Sequence, residues 1–243
     1  MRHLIRPSTL LLSAFGTLAA CGGGGSSGSP ASDAGTASQW VGKTYLLDTP
    51  AISPNAWTKP KGIGSELGTY VPQFLISVEA GAGDTLNVTL ATATGGVQDL
   101  CNPTTQVTMS GATYPQSAIW AKSLPMRILN PNVDAGANTQ AVVTATAHNF
   151  TLTNVLPGNS AATDGTLDST VDIADLFSLF YVVANPTKDT ICATLETLSV
   201  SCQTCAHNGQ KYCLDLQAVQ IGAAAVATPV KTVLASDIPT SCQ

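Results

Sequence analysis

The chain predicts a mainly β domain: an antiparallel β-sandwich or barrel with one or two short helices near residues 172–200. Three observations carry that class. Apolar and polar residues alternate with period two in several short runs, the mark of strands with one buried and one wet face. Turn residues, glycine and asparagine above all, separate those runs. Charged residues make up only 10% of the chain, against ~25% in an average domain, so threonine, serine, asparagine and glutamine take the surface.

The first twenty residues stand apart from the fold. Arg2, His3 and Arg6 make a basic start, Leu10 to Leu18 an apolar core, and Leu18-Ala19-Ala20 a small-residue site before Cys21. That grammar is a secretory signal. The apolar run falls short of the ~20 residues that span a bilayer. The Leu-Ala-Ala-Cys segment resembles the lipobox of bacterial lipoproteins. The resemblance implies that residues 1–20 are removed and that Cys21 becomes an acylated first residue. Several acyl chains make a stable anchor, at about 0.8 kcal/mol per buried methylene. The membrane is then a partner through Cys21, and the expected location is the extracytoplasmic cell envelope. In lipoproteins of Gram-negative bacteria an aspartate after the cysteine favours inner-membrane retention; Gly22 leaves outer-membrane sorting open, and the outer membrane is the expected location in a source with two membranes. Residues 21–38 are a Gly/Ser-rich tether, a flexible coil reaching roughly 20–25 Å. Residues 39–243 are expected to form a single disulfide-bonded, β-rich domain.

Charge narrows the partners. The formal net charge is −5, and the signal holds two of the ten basic residues and none of the fifteen acidic ones, leaving −7 from Cys21 onward. A negative domain lacks the basic footprint of a nucleic-acid binder and is not drawn to anionic lipid.

Within the domain, Trp40 precedes the first strand and is expected to pack it. The position is similar to that of a tryptophan in lipocalin-type barrels, whose Gly-x-Trp order is absent here. In "QFLISVE" (73–79), Phe74, Ile76 and Val78 face one way. In "DTLNVTLATA" (84–93), Leu86, Val88 and Leu90 do the same. The glycines of "AGAG" between them predict a hairpin. "NFTLTNV" (149–155) and "GTLDSTVDI" (165–173) form a second pair, joined by "LPGNSAATD". Leu167, Val171 and Ile173 should point inward, Asp168 and Asp172 outward. "QAVVTATA" (140–147) precedes this pair or runs straight into it. "DIADLFSLFYVV" (172–183) predicts two or three helical turns. "TKDTICATLETLSV" (187–200) predicts a helix capped by Thr187 or Asp189, with Ile191, Leu195 and Leu198 on one face. Residues 222–242 read as a terminal strand and a loop stapled through Cys242.

Pieces of the chain resemble uncharacterised lipoproteins of myxobacterial type. They are the lipobox and tether, "WVGKTYLLD" (40–48), "VQDLC" (97–101) and "ICATLETLSVSCQTCAHNGQKYCLDL" (191–216). The family implies no activity.

Besides Cys21, six cysteines remain: Cys101, Cys192, Cys202, Cys205, Cys213 and Cys242. An even number in an exported chain reads as disulfides, with fifteen connectivities open. The turn His207-Asn208-Gly209 favours Cys205 with Cys213 across a hairpin. Cys192 can then bridge to Cys202 at the helix exit, leaving Cys101 for Cys242. Two other readings of "CQTCAHNGQKYC" (202–213) compete. One is a zinc site completed by Cys192 or His207. The other is a redox dithiol at Cys202 and Cys205, although the βαβ setting of such motifs is missing.

Asp164, Asp168, Asp172 and Asp175 do not follow the alternate-ligand pattern of a calcium loop and read as solvated carboxylates. No metal or cofactor is expected. His148 and His207 are the only histidines after the signal, and "GSELG" (64–68) is not a nucleophile elbow. Glu66, Glu79, Asp84 and Asp99 are candidates for paired carboxylates. Trp40, Trp57 and Trp120 lie far apart in sequence and are expected in the core or at a domain edge. If the domain is a barrel around a ligand, Trp57, Phe74 and Trp120 would line it. The expected function is therefore a non-catalytic envelope domain for binding or structure, with an apolar small molecule or an envelope protein as partner. The alternatives are an extracytoplasmic hydrolase using carboxylates, with or without His148, and a thiol-disulfide redox lipoprotein.

Overall fold

The period-two runs become strands of two antiparallel sheets in the computed structural model, which describes residues 37–110, 118–129, 142–157, 164–179 and 187–242. Residues 1–36, with Cys21 and nearly all of the segment expected to be a tether, lie outside the described residues. In chain order the elements are β1 (Lys43–Leu47), β2 (Trp57–Lys59), α1 (Gly64–Gly68), β3 (Gln73–Ala80), β4 (Thr85–Thr94), β5 (Val97–Gln98), β6 (Thr105–Ser110), β7 (Ala118–Leu129), β8 (Val142–Thr153), β9 (Gly165–Asp172), α2 (Lys188–Thr197), β10 (Cys213–Ile221) and β11 (Ala224–Val226). The first sheet runs β11-β1-β3-β4-β5, with β6 also paired to β4; the second runs β2-β10-β9-β8-β7.

β3 and β4 form the expected hairpin, Gln73 opposite Ala93 through Ala80 opposite Leu86. Their inward residues Phe74, Ile76, Val78, Leu86, Val88 and Leu90 are buried. The "QAVVTATA" run continues straight into "NFTLTNV" as the single strand β8. It pairs with β7 on one side and β9 on the other. Pro125 sits within β7. A proline cannot donate to a ladder, so it belongs on a sheet edge, and β7 is that edge. The two inner faces share one core, and Phe74 meets Phe150 across it with ring centroids 5.1 Å apart. Asn102 links the sheets by donating to Thr92 Oγ1 at 3.0 Å and to the Pro125 carbonyl at 2.8 Å. Trp40 is fully buried, and its indole N–H donates to the Pro157 carbonyl at 2.8 Å.

The carboxyl-terminal segment is a strap on the outer side of the first sheet. Leu75, Ala91 and Ala93 form a small second core there, closed by Leu46, Val226 and Val230. Gln98 and Lys231 exchange two hydrogen bonds, Thr104 and Val233 bond through backbone and hydroxyl, and the Cys101–Cys242 disulfide ties the end down.

Helix forms where caps and spacing favour it. Thr187 caps α2 by accepting from the Thr190 N–H, and the Thr190 hydroxyl reciprocates, so two otherwise orphaned amides are satisfied. Ile191 and Leu195 are buried as expected, but Leu198 is 51% exposed. The helix stops at Thr197, and Leu198 is its cap residue with non-helical backbone at φ −94° and ψ 12°, so it no longer continues the buried face. Ile173–Leu179 is a tight 3-10 segment, and the rest of the expected 172–183 helix lies outside the described residues. "GSELG" is α1, and a β-carbon on Gly68 would overlap the Trp57 indole, so this glycine permits close packing. No helix among the described residues is long and apolar enough to cross a membrane.

Candidate functional site

The polar residues of the second sheet converge on its outer face, where the strand pattern slips. In β8 the residues Asn149 and Phe150 oppose Ser169 of β9, and Asn149 has φ 50°. Such a β-bulge puts two residues against one and re-aims side chains. Inward positions run Val143, Ala145, Ala147 before it and Phe150, Leu152 after it. The slip brings His148 and Thr151 onto one outer face, although three positions separate them. β7 changes phase at the same level: Trp120, Lys122 and Ser123 are all exposed.

His148 meets His207 here. Their rings stack at 3.7 Å between centroids and 11° between planes. His207 belongs to the loop closed by Cys205–Cys213, so the stack holds that loop to β8. Asp172, at the end of β9, lies beneath. It is only 6% exposed, which corrects its expected place on the wet face. Its Oδ1 accepts the Ala174 N–H at 2.8 Å. Its Oδ2 lies 3.4 Å from Asn208 Nδ2 and 3.9 Å from both His207 Nε2 and Lys188 Nζ. A nearly buried carboxylate requires such partners. Asp175 turns toward the same region and accepts the Thr146 N–H at 3.1 Å. The Tyr212 hydroxyl donates to Asp189 at 2.8 Å, and this bond, with the carboxylate's charge, raises the phenol's pKa. The knuckle is thereby pinned to the start of α2.

Desolvation lowers the pKa of His148 below its ordinary 6.5, and His207 adds to the effect; Asp175 and Asp172 oppose it. A histidine that takes up a proton less readily when folded stabilises the protein at higher pH. That contribution is lost as pH falls through about 6.5, where the unfolded chain gains a proton that the folded chain resists. The urea midpoint is therefore expected to drop between about pH 7.5 and about pH 5.5, and less so in His148→Gln. Equal drops in both proteins would remove His148 as the cause.

The six cysteines pair as Cys101–Cys242, Cys192–Cys202 and Cys205–Cys213; the two short bridges are those that the local turns favour, and the long one joins the cysteines left over. Cys205, His207 and Cys213 offer ligand atoms within 4.8 Å of one another, but two of these sulfurs are bonded together, so the zinc reading loses its thiolates. Cys202 and Cys205 sit in different bridges, so they form no dithiol couple.

The expected ligand lining does not assemble. Phe74 and Trp57 are packed in the core, whereas Trp120 is 55% exposed on the opposite face of the second sheet. The interior between the sheets is filled by side chains where a barrel would have enclosed a ligand. The carboxylates disperse as well. Glu66 bonds Ser65 on α1, Glu79 and Asp84 are exposed near the β3–β4 turn, and Asp99 pairs with Arg127 at 3.2 Å. The His148–His207 contact was not readable in advance. Its one trace in the sequence is that the only two histidines after His3 flank a run whose alternation breaks at Asp172-Ile173. Comparison with protein-family models, curated proteins and solved structures finds no match to this chain.

Proposed function

We propose that the chain is a lipid-anchored envelope protein whose β-sandwich is a non-catalytic binding or structural domain. One observation carries the domain reading: all six candidate cysteines are spent on disulfides while the shared core is filled, so recognition falls to the surface. Paired thiols suit an oxidising compartment, and the Leu-Ala-Ala-Cys lipobox supports attachment through Cys21. The likeness to myxobacterial lipoproteins supports the same placement. Beside the histidine cluster, the Ser169 and Thr170 hydroxyls are engaged, donating to the His148 carbonyl and to Asp215.

Metabolic labelling with an alkyne palmitate in a bacterium that processes lipoproteins tests the anchor. Label is expected on the wild-type chain in the membrane fraction, and Cys21→Ala is expected to lose both label and membrane association. An unlabelled, soluble wild-type protein, or label that survives Cys21→Ala, would end the anchored reading.

A further inference from the structure

We propose that the outer face of the second sheet binds a saccharide chain, with Trp120 as the stacking platform. The inference rests on the binding-domain reading and names its ligand class. Strand register sets the surface. Trp120 lies opposite Thr151, Thr151 opposite Asp168, Asp168 opposite Gln217, and Gln217 opposite Lys59. This is one row across five strands on one face. At about 4.8 Å per strand it runs roughly 19 Å, and its repeat is close to the length of a pyranose unit.

The row is ordered before any ligand arrives. Thr58 donates to Gln217 Oε1 at 2.7 Å, and Gln217 Nε2 donates to Asp168 Oδ1 at 2.6 Å. Holding polar side chains in place reduces the entropy that binding costs. Asp168 keeps lone pairs and Gln217 a second N–H to offer. Sugar hydroxyls need acceptors and donors side by side, and the C–H face of the ring needs a flat apolar partner. The row presents both, with the indole at one end.

Position and charge argue for this class. Trp40 and Trp57 are buried, so Trp120 is the one tryptophan left at the surface, and it stands on a sheet face beside a bulge. Trp is favoured at interfaces because it carries a large rigid apolar body with a polar N–H. The row flanking it is polar, which disfavours an apolar ligand. Lys59 and Lys122 are matched by Asp168 and Asp215, with Lys59 at 4.0 Å from Asp215, so the face lacks the excess cation that an acidic polymer needs. The class is therefore an uncharged saccharide chain, either plain hexose or N-acetylated.

Acrylamide quenching of the full-length detergent-solubilised protein tests this, with cellotetraose and chitotetraose as the probes. The exposed Trp120 dominates quenching of the free protein, and a bound sugar is expected to shield it. The probe that shields distinguishes the plain from the N-acetylated chain. Trp120→Ala, followed by calorimetry with the same probe, is expected to weaken binding about tenfold or more. Asp168→Asn, which keeps the shape, is expected to weaken it by a smaller factor and serves if Trp120→Ala does not fold. Absence of shielding by both sugars, or wild-type affinity in both variants, would overturn the proposal. Palmitate labelling is unaffected by either result, so the anchored reading stands or falls separately.

Discussion

Serine at both Cys101 and Cys242 is expected to cost about 5 kcal/mol of folding stability, the largest loss from any of the three bridges. A disulfide acts mainly by restricting the unfolded chain, and the restriction grows with the logarithm of the loop. This bridge closes 141 residues, for which the chain-entropy relation returns about 5 kcal/mol. Cys192–Cys202 closes only 10 residues, worth about 2.7 kcal/mol by the same relation. The long bridge also anchors the strap over Leu75, Ala91 and Ala93. Urea unfolding of the two double-serine proteins checks the ranking. A dye that binds exposed apolar surface is expected to report the uncovered patch in the Cys101→Ser, Cys242→Ser protein alone. A smaller loss there than at Cys192 and Cys202 would contradict the chain-entropy account.

Truncating Phe150 to alanine is expected to lose about 3–5 kcal/mol, the range for a large buried aromatic. Its ring is almost wholly buried and tilted at 56° against Phe74 of the facing sheet, so the cavity would open between the two layers. Phe150 is also the bulge residue that re-enters the core after His148 and Asn149. Phe150→Leu keeps most of the apolar volume and is expected to recover most of the loss. Thermal and urea unfolding give the values. A loss below about 1 kcal/mol in Phe150→Ala would mean that the sheets close over the gap, contrary to the limited relaxation of packed cores.

Both effects belong to parts of the molecule that differ in how far the sequence reveals them. The β3–β4 hairpin was legible because Phe74, Ile76, Val78 and Leu86, Val88, Leu90 alternate cleanly around a glycine turn. The α2 cap was legible because Thr187 follows Pro186 and opens an apolar helical stripe. The two short disulfides followed from local turns, and the third was what remained. Asp172 and Leu198 were misplaced for related reasons. Periodicity assumes that an element continues, but β9 ends at Asp172 beneath the histidines and α2 ends before Leu198.

The residues alone determined the β3–β4 hairpin, the strands β8 and β9, the capped helix and the two short disulfides, because those depend on neighbours within a few positions; β6, β7 and the long Cys101–Cys242 bridge left no such local mark. Only the tertiary structure decided which strands share a sheet, that His148 stacks on His207, and that Trp120 faces water while Trp57 and Phe74 fill the core. Pairing across long loops and a bulge in β8 set those outcomes. Period-two patterning specifies two faces for each strand, but not what lies opposite them.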